Sequence, residues 1–277
     1  MRSREVLKLG ENLLKEFDGE DARIVAGLLL EHVTGIEAFR HYSDEVEIEP
    51  EEREEFIHLI MRRLSGEPVQ YIIGWVGFMG LEISVEEGVF IPRPETEELV
   101  EIALREIKNI RNPVVFDIGT GSGAIGLAIA HFRDDAVVFM TDVSERACEV
   151  ARYNAEKLGM EDKVKILNGD LFSPLSIVEP ADLIVSNPPY IPEGLIPGLP
   201  EDVRREPEIA LDGGEYGTDI INRILDEAWL YLKKRGTVLI EIDSVNLDYI
   251  KFPDRVKHRY LKDAYGNTRF LKAWRGE

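Results

Sequence analysis

A short apolar run, Asp182-Leu-Ile-Val-Ser186, stops at Asn187-Pro188-Pro189-Tyr190. The run has the length and composition of a buried strand. Two successive prolines cannot continue a sheet, because neither has an N–H to give to the ladder. The strand therefore ends, and Asn187 lies at its carboxyl edge, held extended by the proline after it. In open α/β sheets that edge is where ligands bind. Asn187 brings a carbonyl oxygen and an NH2 group, and Tyr190 an aromatic wall. The group suits a planar –NH2, whose two hydrogens the Asn oxygen and a backbone carbonyl accept while the ring lies on its plane. Taken alone, the turn reads more readily as a structural strand terminator. A second motif shifts the balance.

That motif is Val114-Val-Phe-Asp117-Ile-Gly119-Thr120-Gly121-Ser122-Gly123-Ala-Ile-Gly126. A β-branched run enters a glycine-rich turn and then the helical stretch Ala124 to His131. Glycines let backbone approach a ligand closely, and a helix N-terminus adds a positive dipole end. Gly121-x-Gly123-x-x-Gly126 formally matches the dinucleotide fingerprint. The next strand, Val137 to Asp142, ends in an acid able to accept from ribose hydroxyls. These two strands indicate an adenosine-type cofactor and leave NAD and S-adenosylmethionine both open.

The remaining order of motifs is more specific. Lys163-Val-Lys-Ile-Leu-Asn-Gly169-Asp170-Leu171-Phe172 follows as a third strand, and Asn-Pro-Pro-Tyr closes a fourth. The ordered series resembles class I S-adenosylmethionine-dependent methyltransferases that act on a planar nitrogen. Gln70-Tyr-Ile-Ile-Gly74, Phe78-Met-Gly80, Gly88-Val-Phe90-Ile-Pro-Arg93-Pro94-Glu95-Thr96-Glu97, Ser186 to Pro192, Glu206-Pro207 and Ala210-Leu-Asp212-Gly-Gly-Glu215 narrow it. Together they resemble the peptide chain release factor N5-glutamine methyltransferase family, from about Gln70 to the C-terminus. The resemblance implies a Rossmann-like α/β sheet, mostly parallel with an antiparallel C-terminal hairpin strand, beside a small N-terminal helical domain. It implies the glutamine of the Gly-Gly-Gln loop of class I release factors as substrate, and N5-methylglutamine as product. S-adenosyl-L-methionine is then the cofactor, leaving as S-adenosyl-L-homocysteine, with no metal.

On that reading Asn187, Pro188 and Tyr190 carry the chemistry, with Pro189 completing the substrate clamp. Gly119, Thr120, Gly121, Ser122 and Gly123 approach the methionine and ribose parts of the cofactor. Asp117 takes the methionine amino group, Asp142 the ribose hydroxyls, and Asp170 with Leu171 the adenine; Asn187 also borders the cofactor. The resemblance further places Phe90 near the cofactor and Arg93 to Thr96 over its pocket. Phe90 reads equally as a core aromatic, and Arg93 with Glu95 as an ion pair at a helix start. Ser122 is no nucleophile elbow, because Thr120 and Ala124 stand where that pattern needs glycine. One departure stands out. The family has Glu-Ile-Gly followed by a Gln near the end of the fifth strand, whereas this chain has Glu241-Ile242-Asp243-Ser244. The departure is expected to leave the amide clamp untouched.

Net charge bears on partners. Asp and Glu outnumber Lys and Arg 53 to 33, giving −20. A protein gripping bare nucleic acid usually shows a basic face, so a basic protein substrate suits this chain better than DNA, and no direct nucleic-acid binding is expected. The alternatives are a ribosomal-protein glutamine methyltransferase, a DNA adenine-N6 methyltransferase that flips its base, and, from another class, a non-catalytic cofactor-binding partner. No apolar run has membrane-spanning length and Met1-Arg-Ser-Arg-Glu5 lacks a signal-peptide core, so a cytoplasmic location without membrane contact is expected. Cys148, the only cysteine, permits no internal disulfide and reads as a packing thiol. The five histidines lack metal-ligand spacing. A single glutamine, Gln70, and 31% charged residues suit a heat-stable protein.

Three stretches follow along the chain: a helical bundle over 1–68 used for substrate docking, a β-hairpin linker over 69–91, and the methyltransferase domain over 92–277. Asp21 is expected to cap a helix whose apolar positions include Ile24, Val25, Leu28 and Leu29. Pro50 with following acids starts another. Late strands are expected at Gly236–Ile242, Val256–Leu261 and Arg269–Trp274. An antiparallel closing hairpin separates the methyltransferase sheet from the NAD-binding one.

Overall fold

The computed structural model describes residues 1–43 and 46–276. The chain divides into two compact units, one of Met1–Gly74 with Glu201–Arg205, the other of Trp75–Pro200 with Glu206–Glu277.

The first unit is helical: α1 (Ser3–Asp18), α2 (Ala22–Thr34), α3 (Ala38–Ser43), α4 (Pro50–Leu64) and α5 (Val69–Ile73). Amphipathic spacing turns Leu7, Leu14, Leu29, Leu30, Phe56 and Ile60 into one buried cluster. α4 begins as its sequence implies, with Pro50 in the first turn and Glu49 and Glu52 forming a reciprocal capping box. α2 does not. Asp21 has helical backbone angles and its side chain caps nothing, because it closes a 3-10 turn, Gly19–Asp21, that runs straight into the helix. Ile24 points to solvent, while Val25, Ala26, Leu29 and Leu30 face the core. The hairpin expected within 69–91 begins only at Trp75. Val69–Ile73 is a helical turn that ends at Gly74, whose φ of 86° is left-handed.

Arg63 ties this unit together. Its guanidinium donates to Asp18 Oδ1 at 2.5 Å and to Asp202 Oδ2 at 3.0 Å, and to the Glu67 carbonyl at 3.0 Å. Arg205 reaches the Ser65 carbonyl at 2.5 Å. The segment Glu201–Arg205 is thereby stitched to the bundle, 127 residues past Gly74 (201 less 74) in sequence.

The second unit opens with a hairpin, β1 (Trp75–Phe78) and β2 (Leu81–Ser84), whose Ser84 is bonded to Asn154. The remaining elements are α6 (Glu95–Glu106), β3 (Val114–Ile118), α7 (Ala124–Phe132), β4 (Val137–Asp142), α8 (Glu145–Lys157), β5 (Val164–Asn168), β6 (Ala181–Ser186), α9 (Asp219–Tyr231), β7 (Leu232–Glu241), β8 (Val256–Lys262) and β9 (Thr268–Arg275). The seven strands from β3 to β9 form one sheet in the order β5-β4-β3-β6-β7-β9-β8. All neighbours pair in parallel except those of β9, which runs antiparallel to β7 and β8. The expected closing hairpin is present.

Alternation fixes the layers. Phe116, Ile184, Val238 and Ile240 face α9, packing on Ile221, Ile224, Leu225 and Ala228. Asp117 and Glu241, on the opposite face, bond to α7 and α6. Gly126 lets α7 close on the sheet, since a Cβ there would lie 2.8 Å from Met140. The order reverses between β3 and β6, whose last residues, Ile118 and Ser186, are register partners. Cys148 is fully buried, as a packing thiol should be, and burial pushes its pKa up.

Removing Arg63 leaves the Asp18 carboxylate buried without its cation. Arg63→Ala should cost about 3–5 kcal/mol in a urea denaturation series. Asp202→Ala, at the more exposed partner, should cost clearly less; equal losses would show that the buried Asp18 pair does not dominate.

Candidate active site

The loop after β3 is built on positive-φ glycines: Gly119 at 70°, Gly121 at 57° and Gly123 at 89°. A Cβ on Gly119 or Gly121 would meet nothing within 4 Å, so the loop borders open space there, whereas Gly123 packs against Met140 and Ala151. The turn is braced from behind. Gly119 and Thr120 donate their N–H groups to the Thr141 carbonyl at 2.8 and 2.9 Å. Gly121 N–H donates to Asp142 Oδ2 at 2.8 Å, and Ser144 N–H to Asp142 Oδ1 at 2.8 Å. Each Asp142 oxygen keeps a second lone pair. Burial holds this carboxyl above its ordinary pKa.

Asp117 is fully buried under the loop. Its Oδ2 accepts the Thr120 hydroxyl at 2.6 Å and Gly126 N–H at 3.0 Å. Its Oδ1 has no hydrogen-bond partner among the described residues. Burial pushes its pKa up to about 7, against the pull of those two donors. Thr120 thus spends its hydroxyl inside the loop. Ser122 is buried and gives its carbonyl to Asn154.

The loop after β6 lies next door. Asn187 follows Ser186, whose hydroxyl donates to the Ile118 carbonyl at 2.7 Å. The Asn187 NH2 donates to Thr96 Oγ1 at 3.1 Å. Thr96, in the first turn of α6, donates its own hydrogen to Glu241 Oε2 at 2.8 Å. Tyr190 donates its hydroxyl to Glu241 Oε1 at 3.2 Å. Among the described residues neither the Asn187 side-chain oxygen nor the Pro188 carbonyl accepts a hydrogen bond. Glu241 is almost wholly buried, and burial pushes it up to about 7, opposed by the Thr96 and Tyr190 hydroxyls and by Arg269. Burial first, and Glu241 second, push the Tyr190 phenol well up.

The exit of the loop is fixed as well. Ile191 pairs with the Leu211–Gly213 stretch, and Asn246 donates to the Tyr190 carbonyl at 3.2 Å and the Tyr216 carbonyl at 2.8 Å. Asn246 belongs to the turn that Asp243 caps. The departure at Asp243-Ser244 therefore does bear on the clamp: its turn supplies the amide that holds Tyr190.

Asp170 and Leu171 follow β5 at the same sheet edge, with Leu171 at a left-handed φ of 45°. The Asp170 side chain is exposed and paired with Arg223 at 2.6 Å. Phe90 is half-buried under the Arg93 guanidinium, 5.0 Å from its centroid. Arg93 does not pair with Glu95. It forms an ion pair with Glu206, which also accepts Ile91 N–H at 3.0 Å, because Glu206 is buried beside it while Glu95 sits at the start of α6. Sequence reading put Thr96 over the cofactor pocket and gave Glu206, Glu241 and Asn246 no role; Glu206 and Glu241 stand inside the family-like stretches, the only signal that marks them.

Known proteins resemble this chain over most of its length. A profile described as PrmC N-terminal domain matches residues 5–74, and one described as methyltransferase small domain matches 81–195. A release factor glutamine methyltransferase of Moorella thermoacetica is 40% identical over 238 residues, covering 84% of each chain. One from Rhodopirellula baltica is 38% identical over 277 residues, covering 96% of this chain and 94% of its own. A methyltransferase structure from Pyrococcus furiosus superposes with a TM-score of 0.51 at 22% identity, over 72% of this chain and 90% of that one, a likeness of fold.

Glu241 keeps its proton in the folded chain where the unfolded chain, with an ordinary carboxyl near pKa 4, has released it. Its contribution to stability therefore falls as pH rises from about 4 to about 7 and is level above that. Glu241→Gln lacks this titration. Wild-type stability should drop relative to the variant between about pH 5 and 7 and run parallel above about pH 8. Parallel denaturation curves throughout would show an ordinary Glu241 carboxyl.

Proposed function

The chain belongs to the release factor glutamine methyltransferase family, and from that premise we propose that it methylates the side-chain amide nitrogen (N5) of the glutamine in the Gly-Gly-Gln loop of class I peptide chain release factors. The observation that carries the proposal is the pair of unspent acceptors, the Asn187 side-chain oxygen and the Pro188 carbonyl, side by side after β6.

A primary amide has two N–H bonds and a lone pair delocalised into its carbonyl, so it is a weak nucleophile. The clamp needs no strong base. Asn187 and Pro188 accept the two hydrogens and so fix the direction of the lone pair, a gain in orientation. As the nitrogen acquires positive charge its hydrogens become better donors, and both bonds strengthen, favouring the transition state over the ground state. Pro189 stiffens the turn. Tyr190 lies against the amide plane and adds cation–π attraction as charge develops.

S-adenosylmethionine, when bound, supplies a methyl group activated by its sulfonium. The nitrogen–carbon bond forms as the sulfur–carbon bond breaks, S-adenosylhomocysteine is the product, and the amide proton leaves to water. The residues fit such a group. Gly119 and Gly121 border a cradle that side chains would fill, among the described residues Asp117 Oδ1 is a buried acceptor without a partner, and Asp142 stands at that loop through its bond to Gly121 N–H. Asp117 would take the amino group, Asp142 the ribose hydroxyls, and the backbone from Gly119 to Gly123 the rest of the chain. Leu171 and Asp170 would border the adenine, Asp170 after releasing Arg223, and Phe90 would close the side.

The helical stretch 1–68 takes the docking role in this reading, supported by Leu9, Leu13, Ile24, Phe39 and Met61, apolar side chains exposed on its helices. The hairpin of the 69–91 segment links it to the methyltransferase domain, 92–277. Among the described residues no helix is long and apolar enough to cross a membrane, and the cytoplasm, where release factors work, is the compartment proposed.

Peptide mass spectrometry tests the function. A class I release factor incubated with the protein and S-adenosylmethionine should gain one methyl, localised to the Gly-Gly-Gln glutamine. Asn187→Ala should slow this by about 30- to 1000-fold, or about 2–4 kcal/mol of barrier. Methylation of another glutamine, or of a DNA adenine, would redirect the substrate assignment; near-normal turnover by Asn187→Ala would remove the clamp.

A further inference from the structure

Glu241 is an acidic side chain in a place where burial penalises charge, and no role given so far uses it. Both of its oxygens are spent on hydroxyl donors, Thr96 on one and Tyr190 on the other. It stands beside Asn187 by register, since its predecessor Ile240 pairs with Ser186, the predecessor of Asn187. Arg269 is the cation that faces it, and Glu95 the opposing carboxylate.

We propose that Glu241 is a positioning residue for methyl transfer: through the Thr96 hydroxyl it sets which end of the Asn187 amide faces the substrate nitrogen, and through the Tyr190 hydroxyl it sets the ring that covers the substrate. The inference rests on the amide-methylation reading above.

Above about pH 7, where Glu241 has given up the proton that burial holds, its carboxylate only accepts. Thr96 has a single hydroxyl hydrogen, and Glu241 Oε2 takes it. The Thr96 oxygen can then only accept from its other neighbour, and Asn187 must turn its NH2 to Thr96. The Asn187 carbonyl oxygen is left on the substrate side. Without Glu241, the Thr96 hydrogen is free to point at Asn187. The two ends of an Asn amide have nearly the same shape, so the flipped form packs equally well, but it presents N–H to a substrate that is itself a donor. Packing alone does not choose between the two; the carboxylate does.

Glu241→Gln keeps the size and replaces one acceptor by a donor. If the new NH2 faces Thr96, the relay reverses and Asn187 flips. If it faces Tyr190, the bond reverses: the phenol oxygen must accept from the NH2, and the hydroxyl and ring are re-aimed. Assayed at about pH 8, where Glu241 is ionised, release factor methylation should fall at least about 30-fold in kcat, while KM for the release factor and affinity for S-adenosylmethionine stay within about threefold. Thr96→Val, which keeps the shape and removes the relay, should fall comparably, and Thr96→Ser should recover most of the lost rate. The double variant Thr96→Val/Glu241→Gln should be no more than about threefold slower than the worse single, because one chain is cut twice. Wild-type kcat in both single variants, or a double variant showing the product of the two losses, would overturn the proposal. A second readout is independent of the substrate. In the NMR spectrum of the wild type the Asn187 side-chain NH2 should show a nuclear Overhauser contact to the Thr96 methyl, weakened in Glu241→Gln. If the wild type leaves the release factor unmodified, the functional reading fails; absence of that contact in the wild type overturns the orientation itself.

Discussion

The reversal of strand order between β3 and β6 is the constraint on which the site depends. With β4 and β5 on one side and β7 on the other, the chain leaving β3 turns one way and the chain leaving β6 the other. The two loops part over a crevice at the carboxyl edge, the place where open α/β sheets bind ligands. Because Ile118 and Ser186 are register partners, the glycine turn and Asn187 start from the same level. Nothing more than parallel pairing and strand length is needed to bring the glycine turn and the Asn187-Pro188-Pro189-Tyr190 turn together.

Each loop is then held by a buried carboxylate. Asp117 reaches forward to Thr120 and Gly126; Glu241 reaches across to Thr96 and Tyr190. Both carboxyls sit at a raised pKa because burial disfavours their charge. Once ionised, such a group only accepts and imposes a direction on every donor around it, and a loop tied to it has one arrangement of hydrogens. The cost of burying charge is set against rigidity and defined polarity in these two loops. A third buried acid, Glu206, does the same for the Ile91–Arg93 approach.

What could be read from the sequence was what is local. The strand that two prolines stop, the glycine turn and the acids at strand ends are each written in fewer than a dozen consecutive residues, and β7 to β9 follow from their apolar runs and the turn at Gly266. The cap at Asp21 was misread because a 3-10 turn ahead of α2 gives that residue helical angles, which no residue type announces. The Arg93–Glu95 pair was misread because proximity in sequence competed with Glu206, 113 residues away. Thr96 and Glu241 are 145 residues apart and meet only because α6 begins over the end of β7. Such partners leave no spacing rule behind.

The turn at Asp243-Ser244 shows how a departure in sequence can preserve a function. Where the family has a glycine, this chain places Asp243, which accepts the Val245 N–H and caps a short 3-10 segment. That segment buries Asn246, and its NH2 bridges the carbonyls of Tyr190 and Tyr216. Gly217 is packed so tightly against the Tyr190 carbonyl and the Asn246 amide that it has no room for a side chain. The Tyr190 main chain is therefore fixed from the turn after β7, while its hydroxyl is fixed by Glu241, five residues before Asn246. One segment of chain holds both ends of the tyrosine, so its ring and its main chain are positioned by the same edge of the sheet.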